Sequence, residues 1–212
     1  MSLFHLRPLG RYLVILLLIA LPVAACGGLP GSAPTNFYIL QTTSELKTEG
    51  TPVQLADGAT VGIGPVQIPG YADRPQIVTF GSGSAINVSD FDHWAEPLSD
   101  AIKRVLTSNV ANLVGAESVF SYPADFRPDK QSLQVAVNVI DITETGTGVA
   151  RLSVRWHVKA LYDNKVLSRH AKIYETPATP GDYNSYAKAL SQLLGKFAQD
   201  IAASLNGLNL SS

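Results

Sequence analysis

The chain carries one cysteine, Cys26, directly after the two small residues Ala24-Ala25. With no second cysteine to pair with, its thiol is available as an acceptor for a covalent group rather than as half of a disulfide. The other reactive types are sparse. Beyond residue 25 there are three histidines, His93, His157 and His170, none at metal-ligand spacing from another histidine or from Cys26. His157 alternates with Arg155 and Lys159, the pattern of a solvated strand face. Gly62-Ile63-Gly64 lacks the third glycine and the following helix of a dinucleotide site, and neither G-x-S-x-G nor a P-loop occurs. The acids Asp73, Glu96, Asp141 and Glu144 are scattered and are read as surface residues. These patterns lead us to expect no catalytic residue, no metal and no cofactor.

What precedes Cys26 gives its thiol a use. His5, Arg7 and Arg11 form a positive start, Leu13–Leu21 an apolar core, and Val23-Ala24-Ala25 a small-residue cleavage site, which together mark a secretory signal peptide. The apolar core is shorter than the ~20 residues that span a bilayer. Val23-Ala24-Ala25-Cys26 resembles a bacterial lipobox, with Val23 where Leu is commoner. That resemblance implies acylation of the thiol, palmitate being one such chain, and a mature chain that begins at Cys26. Two or more acyl chains anchor firmly where one holds only marginally. Gly27 and Gly28 follow, with no Asp to act as an inner-membrane retention signal, so the outer membrane is the expected location.

Removing residues 1–25 takes away Arg7 and Arg11 and no acid, so 14 basic residues face 17 acidic ones and the net charge is −3. Nucleic acid, which calls for a clustered basic face, is not an expected partner. We divide the chain into a signal peptide, 1–25, a Gly/Pro/Ser tether, 26–35, and one periplasmic domain, 36–212. Without a disulfide, that domain must be held by packing.

Within the domain, strands are expected at Asn36–Leu40 and Thr60–Val66, on either side of a polar excursion, Gln41–Gly58. A turn-rich loop spans Pro69–Pro75, and a hairpin joins Gln76–Phe80 to Ala85–Ser89. A first helix is expected from Asp92 to Val114, with Asp90 or Asp92 as N-cap and Pro97 in the opening turns, burying Trp94, Leu98, Ile102, Val105, Leu106, Leu113 and Val114. Leu133, Val135, Val137 and Val139, and then Ala150 to Ala160, alternate apolar with polar or small residues, and Lys165–Glu175 follows the turn Asp163-Asn164. A last helix, Asp182–Leu205, presents Tyr186, Leu190, Leu194, Phe197, Ile201 and Leu205 on one stripe. The expected fold is α+β, a mainly antiparallel sheet with two helices packed on one face.

From Val61 to Val78 the chain reads Val-Gly-Ile-Gly-Pro-Val-Gln-Ile-Pro-Gly-Tyr-Ala-Asp-Arg-Pro-Gln-Ile-Val. This resembles the hallmark of the PqiC-like family, the auxiliary lipoproteins of ABC-type MCE lipid-transport systems. Phe37-Tyr38-Ile39-Leu40, Trp94-Ala95-Glu96-Pro97-Leu98 and Ala189–Leu205 resemble, in order, that family's first strand, first-helix opening and closing helix. Ala72 stands where Leu is usual beside the tyrosine. The resemblance implies a periplasmic accessory of an MCE-domain protein, anchored in the outer membrane by lipid, and leaves homo-oligomer formation open. Tyr71, Asp73, Arg74 and Pro75 are then the candidate partner-binding residues. An architectural reading stands beside that one, in which Gly62, Gly64, Pro69 and Pro75 set backbone shape and Asp73 pairs with Arg74. Two further functions compete: a lipid carrier with its own apolar cavity, and an envelope hydrolase.

Overall fold

The computed structural model describes residues 33–43, 53, 55–56, 58–81, 83–206 and 208. The signal segment, Cys26, the tether up to residue 32 and most of the polar excursion lie outside them. Among the described residues eight strands and two α-helices follow in order: β1 (Asn36–Tyr38), β2 (Thr60–Gln67), β3 (Gln76–Phe80), β4 (Ile86–Trp94), α1 (Leu98–Val114), β5 (Val119–Ser121), β6 (Ser132–Thr145), β7 (Val149–Ala160), β8 (Val166–Pro177) and α2 (Tyr183–Leu205). This is the α+β class expected.

The alternating residues of β6, β7 and β8 do form the long antiparallel ladders, with β7 paired on one side to β6 and on the other to β8. On β7 the even positions from Ala150 to Ala160 are buried, while Arg151 and Arg155 are exposed. Asn164 takes a positive φ of 60° between β7 and β8, and Asp163 Oδ1 accepts from Lys165 N at 3.0 Å, closing the turn read from Asp163-Asn164. The sheet is mixed. β2 runs parallel to β6 and to β5, and β1 parallel to β4. Period-two patterning reports burial and not strand direction, so these parallel pairings were not legible beforehand.

Both helices bury their apolar stripes in one core with the inner face of the sheet. Asp182 caps α2 by accepting from Ser185 N at 3.0 Å, so the helix begins at Tyr183, one residue after the expected start. The start of α1 corrects the sequence reading. β4 runs on to Trp94, and Pro97, not Asp90 or Asp92, occupies the N-cap position of a helix that begins at Leu98. The reason is long-range: β1 pairs in register with Asp92–Trp94 and holds them extended. Asp92 is used there instead, accepting from Asn36 Nδ2 at 3.0 Å, Tyr38 OH at 2.9 Å and Ser89 Oγ at 2.7 Å. Burial alone would raise its pKa, but these hydrogen bonds favour the carboxylate more and hold it below the usual value. Tyr38 is pushed up to about 12 by burial and by its bond to Asp92.

β1 is also shorter than expected, because Ile39–Thr43 leaves the sheet to cross the helices. Leu40 is buried, its carbonyl accepts from Arg104 Nη2 at 2.9 Å, Gln41 N donates to Ser191 Oγ at 3.0 Å, and Thr43 N donates to Asn109 Oδ1 at 3.0 Å. Asn109 and Ser191 are buried polar residues of the two helices, and this crossing segment donates to an oxygen of each; Ser191 Oγ in turn donates to Ala187 O, while Asn109 Nδ2 is left without a partner.

Candidate functional site

The glycines of the Val61–Val78 segment are explained by close approach. A Cβ at Gly62 would stand 2.8 Å from the Phe120 ring, and one at Gly64 would stand 2.3 Å from Tyr122 O. Gly64 also has φ +125°, in the region that favours glycine. The chain past β5 can therefore lie on β2, where Tyr122 N donates to Ile63 O at 2.8 Å, and Gln134 Nε2 donates to Gly64 O at 2.6 Å from the neighbouring strand. These backbone constraints set the direction in which β2 feeds the Pro69–Pro75 loop.

That loop is stapled into the sheet by Tyr71. On β6, Val139 pairs with Val154 but Asp141 pairs with Ser153, so Ile140 is an extra residue, a β-bulge. The bulge moves the inward positions from Leu133–Val139 on odd numbers to Ile142 and Glu144 on even ones, opposite Leu152 and Ala150. Tyr71 inserts its hydroxyl at this irregularity, donating to Asp141 Oδ1 at 2.6 Å and accepting from Ile142 N at 3.0 Å. Burial first, and then the bond to Asp141, push the Tyr71 pKa far up, so the phenol stays protonated. Its ring packs on Phe80, with centroids 5.6 Å apart.

Ala72 points into the helix–sheet interface, 5% exposed, beside a cavity of about 10 Å³ lined by Trp94, Leu98, Ile142 and Tyr186. The smaller side chain at this position thus leaves room for one water at most. Asp73, Arg74 and Pro75 are exposed. The four ion pairs among the described residues include neither Asp73 nor Arg74, so the local pair that an architectural reading expected is not formed. The loop holds itself through its backbone, Ala72 N donating to Pro69 O and Arg74 N to Ala72 O, each at 2.9 Å, while Pro75 O accepts from Trp94 N at 2.7 Å. The candidate residues therefore divide. Tyr71 is half-buried with its hydroxyl bonded at β6, and Asp73-Arg74-Pro75 is an exposed tip.

Glu144 was read as a surface acid and is instead buried, on the inward face that the bulge creates, with its pKa raised by burial. His157 is half-buried between Lys159 and Arg169, and desolvation first, then those two cations, lower its pKa. Among the described residues no group of three His, Cys, Asp or Glu side chains could hold a metal ion, and no helix is long and apolar enough to cross a membrane. A cleft of about 660 Å³ opens between β8 and α2 and is lined by Lys172, Glu175, Lys196 and Asp200 among others. Asp200 is engaged there by Lys172 Nζ and Tyr174 OH, each at 2.6 Å.

Comparison with known proteins matches residues 38–202 to the family described as ABC-type transport auxiliary lipoprotein component. Among solved structures, an uncharacterized protein aligns with a TM-score of 0.65 at 16% identity, covering 82% of this chain and 100% of its own. A Xanthomonas campestris protein of the family DUF330 aligns with a TM-score of 0.63 at 15% identity, covering 80% and 93%. At these identities the likeness is one of fold. Among curated proteins none matches the chain.

Proposed function

The chain belongs to the ABC-type transport auxiliary lipoprotein family, the PqiC-like lipoproteins, and from that premise we propose that it is the accessory and scaffold subunit of an MCE transport system. In this reading acylated Cys26 holds the domain on the periplasmic face of the outer membrane, where it receives an MCE-domain protein on the route of phospholipid or other hydrophobic molecules. The observation that carries the proposal is the family match over residues 38–202, on a chain whose first residues include a lipobox-like segment. The family is one of transport auxiliaries and not of enzymes, and a non-catalytic role fits the side chains described. The charged lining of the cleft between β8 and α2 suits a scaffold better than a carrier, since acyl chains call for an apolar cavity. The exposed tip Asp73-Arg74-Pro75 is the proposed contact. Tethering to the membrane raises the effective concentration of such a contact near the partner.

Affinity capture of the acylated protein from detergent-solubilised envelopes is expected to recover an MCE-domain protein. Recovery of none under mild conditions would overturn the proposal. Native mass spectrometry showing lipid bound stoichiometrically to the domain would favour the carrier reading instead.

A further inference from the structure

Of the nine large apolar side chains that the described surface exposes, five lie on β1, β4 and the residue just past β1: Phe37, Ile39, Ile86, Val88 and Phe91. Phe37 is 66% exposed and meets only the edge of the His93 ring, with centroids 6.0 Å apart. The strands are neighbours, with Phe37 opposite His93 in a parallel pair and Phe91 two residues before His93, so Phe37 and Phe91 share one face at the border of the sheet and Ile39 follows them just past β1; Ile86 and Val88 lie further along β4, beyond an irregularity in its pairing. An apolar strip of this kind marks a place of contact. The strands carry no Lys or Arg; their charges are Asp90 and Asp92, and Asp92 is occupied by three hydrogen bonds.

What lies opposite the strip follows from the covalent chain. The eleven residues from Cys26 to Asn36 reach at most ~40 Å when fully extended, and they enter the domain at β1 itself, one residue from Phe37. If Cys26 is acylated, this border is the part of the domain nearest the bilayer along the chain. We propose that the β1–β4 strip rests on the surface of the membrane that holds the lipid anchor, with Phe37, Ile39 and Phe91 entering the interfacial region. This rests on the lipoprotein reading of Cys26. Because the strip has no Lys or Arg, its attraction to lipid is apolar, is not strengthened by anionic lipid and is not screened away by salt. Contact at this border also fixes the orientation in which the domain meets any partner.

The test uses the mature acylated protein in vesicles of phosphatidylethanolamine and phosphatidylglycerol. Acylation consumes the Cys26 thiol, so Phe91→Cys and, as a remote exposed control, Ile173→Cys each supply one free thiol for an environment-sensitive fluorophore. The Phe91 label is expected to be blue-shifted and quenched by spin-labelled lipid, unchanged on adding salt or omitting phosphatidylglycerol, while the Ile173 label stays in water. Two water-exposed labels on protein that floats with the vesicles would overturn the proposal and leave the anchor intact. A Phe91 label that is equally dry in unacylated Cys26→Ser protein sedimenting as a dimer would also overturn it, a second copy being the occupant. Failure of the wild-type protein to float would remove the anchor reading, and this inference with it.

Discussion

The hydroxyl of Tyr71 replaces a missing partner at the one place where the β6–β7 ladder is interrupted, and it does so from a loop seventy positions away in sequence. Tyr71→Phe leaves the Ile142 amide and the Asp141 carboxylate without that partner, and the expected loss is ~1–3 kcal/mol in denaturant unfolding. Asp73→Ala/Arg74→Ala is expected to be nearly silent in the same measurement, within ~0.5 kcal/mol, since both side chains are exposed and unpaired with each other. If the tip is the contact, that double variant captures less MCE partner at an unchanged melting temperature; unchanged capture would place the interface elsewhere. Trp156, buried and packed on Phe197 with centroids 5.1 Å apart, is expected to cost ~3–5 kcal/mol as Trp156→Ala, with Arg155→Ala mild beside it. His157 sets a pH dependence. Its folded pKa lies below the ordinary 6.5, so the unfolded chain takes up the proton first as pH falls. The stabilisation is therefore complete above 6.5 and is lost on acidification below it. Melting curves of His157→Gln should show a smaller decline than wild type across that window.

At the scale of elements, the approach of the β5 segment to β2 depends on atoms that glycine lacks. Gly64→Ala places a Cβ against Tyr122 O at a backbone angle L-residues rarely adopt, and more than ~1 kcal/mol of destabilisation is expected, read from the denaturant midpoint. β1 is three residues long and depends on Asp92 for its side-chain attachments. Asp92→Ala should therefore speed amide exchange at Asn36–Tyr38 while the β6–β7–β8 ladder stays protected. Exchange that rises equally throughout the sheet would show that β1 belongs to the global cooperative unit.

At the scale of the whole molecule, the proposed anchor at Cys26 precedes a domain that is held by packing without a disulfide, so the two can be tested separately. Cys26→Ser is expected to abolish incorporation of labelled fatty acid while the melting temperature of the domain is kept, because residue 26 precedes every element described. Labelled fatty acid in the Cys26→Ser protein would overturn the lipoprotein reading.

The sequence by itself determined whatever depends on local periodicity and local sterics. The even-numbered inward face of β7, the stripe of α2, the Asp163-Asn164 turn and the class of the fold all follow from residues close to one another along the chain. The Gly-Pro and Asp-Arg-Pro segment also carried the family resemblance. Tertiary structure alone decided the rest. Pairing with β1 drew Asp92–Trp94 into a strand and moved the start of the first helix to Leu98. The bulge at Ile140 reversed the inward parity of β6, burying Glu144 and opening the position that Tyr71 fills. Tyr71 and Asp73, two residues apart, thus have different tasks. Adjacent side chains in a loop share a sequence environment, but only the partner strand, brought near by folding, determines which of them faces it.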